Sequence, residues 1–263
     1  MPDISLQSGD IPVVLITGAT GNLGREIARQ FSAAGYRIAL NYGHDAEKAA
    51  AVARLCNIDG GQSLLLQGDV TVDDDCRRLV DQIERSWGRV DVLVNNAATT
   101  RFIPHADLDR LERDEFRRVL DVNTIGAFQM SRAAAPSLAR AGRGSIVNMS
   151  SASGLNGLGS SIAYAASKSA LNTVTLAMSR VLAPDVRVNA ICPAFIEGGW
   201  MKAAMGDDAY EQFRSDAISR TPLKRAASPE DVSRAVLWLA RDASHLTGEL
   251  LRMDGGLHLM SGR

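Results

Sequence analysis

Short runs of β-branched and aliphatic residues recur along the chain. Each is followed by a longer stretch in which apolar positions return every three or four residues. The first pattern belongs to strands buried on both faces, the second to helices with one buried face. The chain therefore reads as strand Ile11–Thr17 around Val13–Ile16, helix Arg25–Ala34, strand Arg37–Asn41, helix Asp45–Asn57, strand Ser63–Gln67, helix Val72–Trp87 and strand Val90–Val94. A long helical region, Arg110–Arg140, follows, with a bend expected near Asn123–Gly126. Then come strand Ser145–Met149, helix Ser161–Ala183, strand Val186–Ile191, helix Pro229–Arg241 and strand Leu250–Met253. Ser228 is the expected N-cap of the last helix, with Pro229 at its first position. Strict alternation of strand and helix predicts an α/β fold: a Rossmann-like, doubly wound three-layer sandwich on a seven-stranded parallel sheet. No repeat or linker divides the pattern, so residues 1–263 are expected to form one domain. Glu197–Pro222 has a weak pattern and is expected to be largely irregular, with short helices such as Asp208–Ile218. A long segment of that kind at a ligand edge reads as a lid over a substrate, spanning about 194–222.

Composition narrows the class. A length of 263 residues with 46% hydrophobic content suits one large core, and a formal net charge of -1 offers no nucleic-acid surface. Disorder is expected at most in the first ten or so residues. Cys56, Cys76 and Cys192 are far apart, odd in number and set among apolar residues, which predicts reduced thiols of a cytoplasmic protein. His44, His105, His245 and His258 show no ligand spacing, so no metal site is expected. Met1–Asp10 has neither a basic start nor an apolar run, which argues against a signal peptide. No run approaches ~18 apolar residues, which argues against a membrane span.

Candidate chemistry lies at the strand ends. Thr17-Gly18-Ala19-Thr20-Gly21-Asn22-Leu23-Gly24 joins the first strand to the first helix. A glycine turn there lets backbone approach a pyrophosphate that faces helix N-terminal amides, the layout of a dinucleotide-binding unit. An acidic residue gripping the adenosine ribose of NAD would stand at the tip of the second strand. The residues there are Asn41, Tyr42, Gly43 and His44, and Asp45 reads as the next helix cap. That leaves room for a 2′-phosphate and favours NADP, with NAD the alternative, although no arginine stands ready and Arg25 reads as a solvated helix residue. Asp69, Asn95 and Ser151 all reach the carboxyl edge of the sheet, where ligands of open parallel sheets bind. Tyr164-Ala-Ala-Ser-Lys168 opens a helix. Residues four apart share a face, so the Lys168 ammonium lies near the Tyr164 hydroxyl and is expected to lower its pKa. Such a tyrosine can donate a proton to a carbonyl oxygen or take one from an alcohol, with the Ser151 hydroxyl on the same oxygen. By itself a Tyr and Lys at this spacing are often only a solvated helix face.

Together these pieces resemble the short-chain dehydrogenase/reductase family in its shorter single-domain branch, from about Ile11 to His258. The pieces are the Thr17–Gly24 turn, Asp69, Asn95-Asn96-Ala97, Asn123, Ser151, Tyr164 to Lys168, Asn189, Pro193 and the Asp254-Gly255-Gly256 end. The resemblance implies an NAD(P)-dependent oxidoreductase acting on a small-molecule carbonyl or secondary alcohol, with no nucleic-acid or membrane partner. It implies Tyr164 as acid/base and Lys168 as its modulator and the holder of the nicotinamide ribose. It implies Ser151 as the group orienting the substrate oxygen, and Asn123 as a helix kink ordering a relay water. Gly18, Asn22, Leu23 and Gly24 would surround the pyrophosphate, and Asp69 and Val70 would border the adenine. Asn95 and Ala97 would lie by the adenosine ribose, and Pro193 and Ile196 on the nicotinamide side. A homotetramer or homodimer is implied as well. Asn22, Ala98 and Ala194 replace glycines usual in the family. Asn tolerates a left-handed backbone better than most residues, which would preserve the turn. The altered glycines keep a catalytically silent dinucleotide-binding sensor as a rival, and a lyase or epimerase with bound NAD as a weaker one.

Overall fold

The computed structural model describes residues 11–57 and 60–260, without the side chains of Trp200, Ala203 and Ala204. The expectations about Met1–Asp10 fall outside these residues. Strands and helices alternate as β1 (Val13–Ile16), α1 (Asn22–Ala33), β2 (Arg37–Tyr42), α2 (Ala46–Cys56), β3 (Ser63–Gln67), α3 (Asp73–Trp87) and β4 (Val92–Asn95). The chain continues through α4 (Arg113–Leu120), a π-helical turn (Asp121–Gly126), α5 (Ala127–Arg140), β5 (Gly144–Met149), α6 (Ser153–Asn156), α7 (Ile162–Val181) and β6 (Val186–Pro193). It ends with α8 (Gly199–Met205), α9 (Asp207–Arg220), α10 (Pro229–Arg241) and β7 (Leu250–Met253). Among the described residues the strands form one seven-stranded sheet in the order β3-β2-β1-β4-β5-β6-β7, and every pairing is parallel. The order reverses between β1 and β4, which opens a crevice at their carboxyl ends.

Period-two alternation splits the core into two. Val14 and Ile16 of β1, Ile38 and Leu40 of β2 and Val147 of β5 pack against α1, α2 and α10. Val13 and Leu15, with Ala39, Leu93 and Ile146, face α3, α5 and α7 on the other side. Both faces of the sheet are therefore covered, which is why the strands are nearly all apolar. Cys56, Cys76 and Cys192 are buried free thiols, as expected.

Local signals place the helix ends. Asp45 caps α2, accepting from the Lys48 amide at 2.9 Å. Ser228 and Asp231 form a reciprocal capping box on α10, with Pro229 in the first turn. The other end of α10 is bolted to β6. The Arg187 guanidinium donates to the carbonyls of Leu239, Ala240, Ala243 and Leu246, where its charge also suits the helix dipole.

One expectation needs correction. Glu197–Pro222 is not largely irregular, since α8 and α9 occupy most of it. Of the described residues of α9 only Tyr210 is buried, so the helix carries almost no apolar periodicity to read. The segment also leaves and rejoins the frame at one place. Ile196 bridges Ala227, the Glu197 amide donates to the Ala227 carbonyl, and the Ala227 amide donates to Phe195. The expected bend is real, and its form is the π turn between α4 and α5.

Candidate active site

The turn after β1 is shaped by contacts that only glycine permits. Gly18 has φ +61°, and a Cβ there would lie 2.8 Å from the Ala97 Cα. A Cβ on Gly24 would lie 2.4 Å from the Gly18 carbonyl oxygen, so its absence lets α1 close on the turn. A Cβ on Gly21 would meet only the Gly18 oxygen, at 3.6 Å. Gly21 is the N-cap of α1, and among the described residues no side chain caps that end or places a carboxylate in its first turn. Its amides are therefore open to an anion. The Thr17 hydroxyl accepts from the amides of Asn96 and Ala97, both at 3.0 Å, which stitches the turn to the end of β4. Asn22 differs from expectation. It is the first residue of α1 and needs no left-handed backbone, because the positive φ falls at Gly18 instead.

A groove of about 380 Å³ runs from this turn across the sheet edge to α7. Gly18, Asn22, Leu23, Gly24, Ala97, Tyr164, Lys168, Pro193 and Ile196 line it. A bare helix N-terminus, a cradle that a Cβ would fill and an apolar wall at Pro193 and Ile196 fit a dinucleotide.

Ser161 caps α7, its hydroxyl accepting from the Tyr164 amide at 3.1 Å. Tyr164 and Lys168 follow one turn apart. The Lys168 Nζ donates to the Met149 carbonyl at 2.7 Å and stands 5.7 Å from the Tyr164 ring centroid. Ser151, just past β5, hydrogen-bonds Tyr164 and accepts from the Ser153 amide at 3.1 Å. Gly154 allows this loop to sit close, since a Cβ there would lie 2.6 Å from the Lys168 carbonyl carbon. The electrostatics correct the expectation of an acidic tyrosine. Burial pushes the Tyr164 phenol up to about 12, against the opposing Ser151 hydrogen bond. Burial brings the Lys168 ammonium down to about 8. Desolvation outweighs the pull of the ammonium, which is spent on the Met149 carbonyl.

Asn123 is buried at the π turn. Its amide oxygen accepts from the Thr99 amide at 2.7 Å, and its nitrogen donates to the Thr99 carbonyl at 2.9 Å and to the Ser167 hydroxyl at 3.0 Å. Ser167 in turn donates to the Tyr164 carbonyl at 2.7 Å. Asn123 thus ties the segment after β4 to the helix of Tyr164. Sequence reasoning missed two further clasps on that segment: Arg118 donates to the Thr99 hydroxyl, and Thr100 bonds Ser160 at 2.6 Å. Only the polar run Thr99–Thr100 hinted at them.

Five of the residues singled out from the sequence do not line the groove: Ser151 and Asn123, which bond to residues around Tyr164, and Asp69, Val70 and Asn95. Asp69 accepts from the Thr71 amide and hydroxyl, both at 2.9 Å. Val70 is buried against Gly126. Asn95 turns inward and donates to Ala127, Ser131 and Asn148, because its side chain falls on the α5 face of β4. The contacts of Asn95 are those of a clamp beneath the edge. At the β2 tip, Asn41 is buried and donates to the carbonyls of Leu66 and Gly68. Asp45 is engaged with Lys48.

A parallel sheet with a glycine turn at its switch point and a tyrosine, lysine and serine at the opposite lip defines a dinucleotide-dependent oxidoreductase. Comparison with known proteins agrees. A family model described as Enoyl-(Acyl carrier protein) reductase matches residues 18–258. A Streptomyces violaceoruber protein assigned as ketoacyl reductase 2 of the granaticin polyketide synthase is 41% identical over 254 residues, 95% of this chain and 98% of that one. The 3-oxoacyl-[acyl-carrier-protein] reductase FabG of Staphylococcus epidermidis is 33% identical over 93% of this chain and 98% of its own. A Burkholderia xenovorans crystal structure, described as a short-chain dehydrogenase/reductase, superposes with a TM-score of 0.88 at 40% identity, covering 96% of this chain and 100% of that one. The chain belongs to the short-chain dehydrogenase/reductase family. It is an oxidoreductase that moves a hydride between a nicotinamide cofactor and a carbonyl or secondary alcohol. Among the described residues no helix is long and apolar enough to cross a membrane.

Proposed function

We propose that this chain is an NADPH-dependent reductase of 3-oxoacyl thioesters. The observation that carries the reading is the meeting of Tyr164, Ser151 and Lys168 at the far end of the groove that begins at the glycine turn. The names of the relatives support the thioester, and the lack of a carboxylate at the β2 tip supports the 2′-phosphate. The cofactor supplies the hydride, and the chain supplies position and the proton. Gly18, Asn22, Leu23 and Gly24 hold the pyrophosphate end, Ala97 lies along the ribose, and Pro193 and Ile196 back the nicotinamide. The Ser151 and Tyr164 hydroxyls converge on the substrate oxygen. A phenol pushed up to about 12 is fully protonated at neutral pH, the state a donor needs. The Lys168 ammonium stabilises the phenolate that remains, and Asn123 keeps both ends of the site in register. Residues 194–222 cover the substrate. The protein works in the cytoplasm as a homotetramer or homodimer, in keeping with its reduced thiols and with apolar side chains exposed on helices at Phe128, Val181 and Trp238.

The test is a coupled assay with a short 3-oxoacyl thioester, run with NADPH and NADH side by side. NADPH is expected to give a kcat/KM higher by about tenfold, equivalent to ~1.4 kcal/mol, because no carboxylate at the β2 tip repels the 2′-phosphate. No thioester reduction, or equal use of both cofactors, would remove the corresponding half of the proposal. The same assay reads the state of Lys168. The ammonium titrates at about 8, so kcat/KM for reduction is expected to hold below that pH and to fall as pH rises through it. A profile flat from pH 6 to pH 10 would deny Lys168 its part.

A further inference from the structure

Asn22 opens α1, yet its side chain does nothing for that helix. The turn is already made by Gly18 and Gly21, and the Asn22 amide reaches across the groove instead. Its Nδ2 donates to the Glu197 carbonyl at 3.2 Å. That carbonyl precedes two successive glycines in left-handed conformation, Gly198 at φ +75° and Gly199 at φ +68°, which start α8. A Cβ on Gly198 would lie 3.3 Å from the Asn22 Nδ2, and one on Gly199 3.8 Å from the Asn22 Cβ. The asparagine therefore lies flat against the entrance of the lid, and all four residues border the groove.

The second lid helix is tied to the same spot. The Gly198 amide donates to the Tyr210 hydroxyl at 2.7 Å, and the Arg214 guanidinium holds the Glu197 carboxylate at 2.8 Å. Tyr210 is buried, with its ring 6.1 Å from that of Phe195. A continuous set of contacts thus runs from α9 through Glu197 and Gly198 to Asn22 at the N-terminus of α1. A dinucleotide bound as proposed would have its pyrophosphate end beside this bridge.

We infer that Asn22 is a positioning residue that latches α8 and α9 across the groove and sets the rate of cofactor release. The inference rests on the groove being the cofactor site, and its test has an arm that does not. The experiment measures NADPH dissociation by stopped-flow fluorescence for the unaltered protein, Asn22→Ala, Tyr210→Phe and the double variant. Hydrogen–deuterium exchange over residues 199–220 is followed in the same four proteins without cofactor. Loss of one neutral hydrogen bond should speed release about fivefold in each single variant. Because both variants open one latch, the double should release no faster than the faster single. Exchange across α9 should quicken in both single variants. Unchanged lid exchange in Asn22→Ala overturns the latch whatever the cofactor does. Additive release rates in the double variant also overturn it, since Asn22 would then act on the cofactor directly. If NADPH fails to bind the unaltered protein while lid exchange still responds to both variants, the cofactor assignment falls and the latch stands.

Discussion

Tyr164→Phe is expected to lower kcat about a thousandfold while leaving cofactor affinity unchanged. The phenol reaches the groove with a hydrogen bond to Ser151, and general acid catalysis is worth about 10²–10⁴-fold. Phenylalanine keeps the ring beside Lys168, so the Lys168 bond to Met149 and the packing of α7 survive. Ser151 alone can hold a carbonyl oxygen but is too weak an acid to give the developing alkoxide its proton. Steady-state turnover and cofactor titration on the same preparation check the result. A loss of kcat under about tenfold would remove Tyr164 from the chemistry.

Gly24→Ala should damage both the packing of the turn and the binding of the cofactor. The new Cβ would meet the Gly18 oxygen at 2.4 Å, the Ala19 Cα at 2.9 Å and the Asn96 Nδ2 at 2.9 Å. Two of these are backbone. The third is held by its own bonds to the carbonyls of Thr17 and Gly18. Relief requires α1 to back away from the turn. Overpacking of this kind costs about 1–3 kcal/mol. It also moves the helix amides off the pyrophosphate, and a displacement near 1 Å costs about a hundredfold in kcat/KM. Gly21→Ala is the matched control. Its Cβ enters open groove, so the denaturation midpoint should hold while cofactor affinity falls. Urea midpoints and cofactor titrations of both variants separate packing from occupancy. Equal midpoints for Gly24→Ala and the unaltered chain would contradict the close approach.

The sheet was legible because burial on both faces leaves nearly unbroken apolar runs. Ser63–Gln67, Pro229–Arg241 and Leu250–Met253 fall where the pattern puts them. The caps at Asp45 and Ser228 were readable because capping is local chemistry. The meeting of Tyr164 with Ser151 and Lys168 was readable because one helical turn and one strand end determine it. What stayed hidden depends on surroundings. An asparagine at a strand tip reads the same whether it faces a ligand or a helix, and Asn95 faces α5. The pull of a cation on a tyrosine can be read from spacing, but the opposing effect of burial cannot. The lid helices were obscure because a surface element with one buried side chain has no rhythm. Asn22 was misjudged because the backbone strain had moved to Gly18 in the actual turn.

The clasp between Ile196 and Ala227 has a consequence for how such a protein can diversify. The chain exits the frame at Phe195 and re-enters it at Ala227 through the same pair of hydrogen-bonded residues, with Arg187 fixing the neighbouring strand to α10. The thirty or so intervening residues form a cassette whose ends are already joined, so changing its length costs little loop entropy. On the proposed function, mutation can therefore rewrite the choice of substrate there while the core beneath it stays as it is.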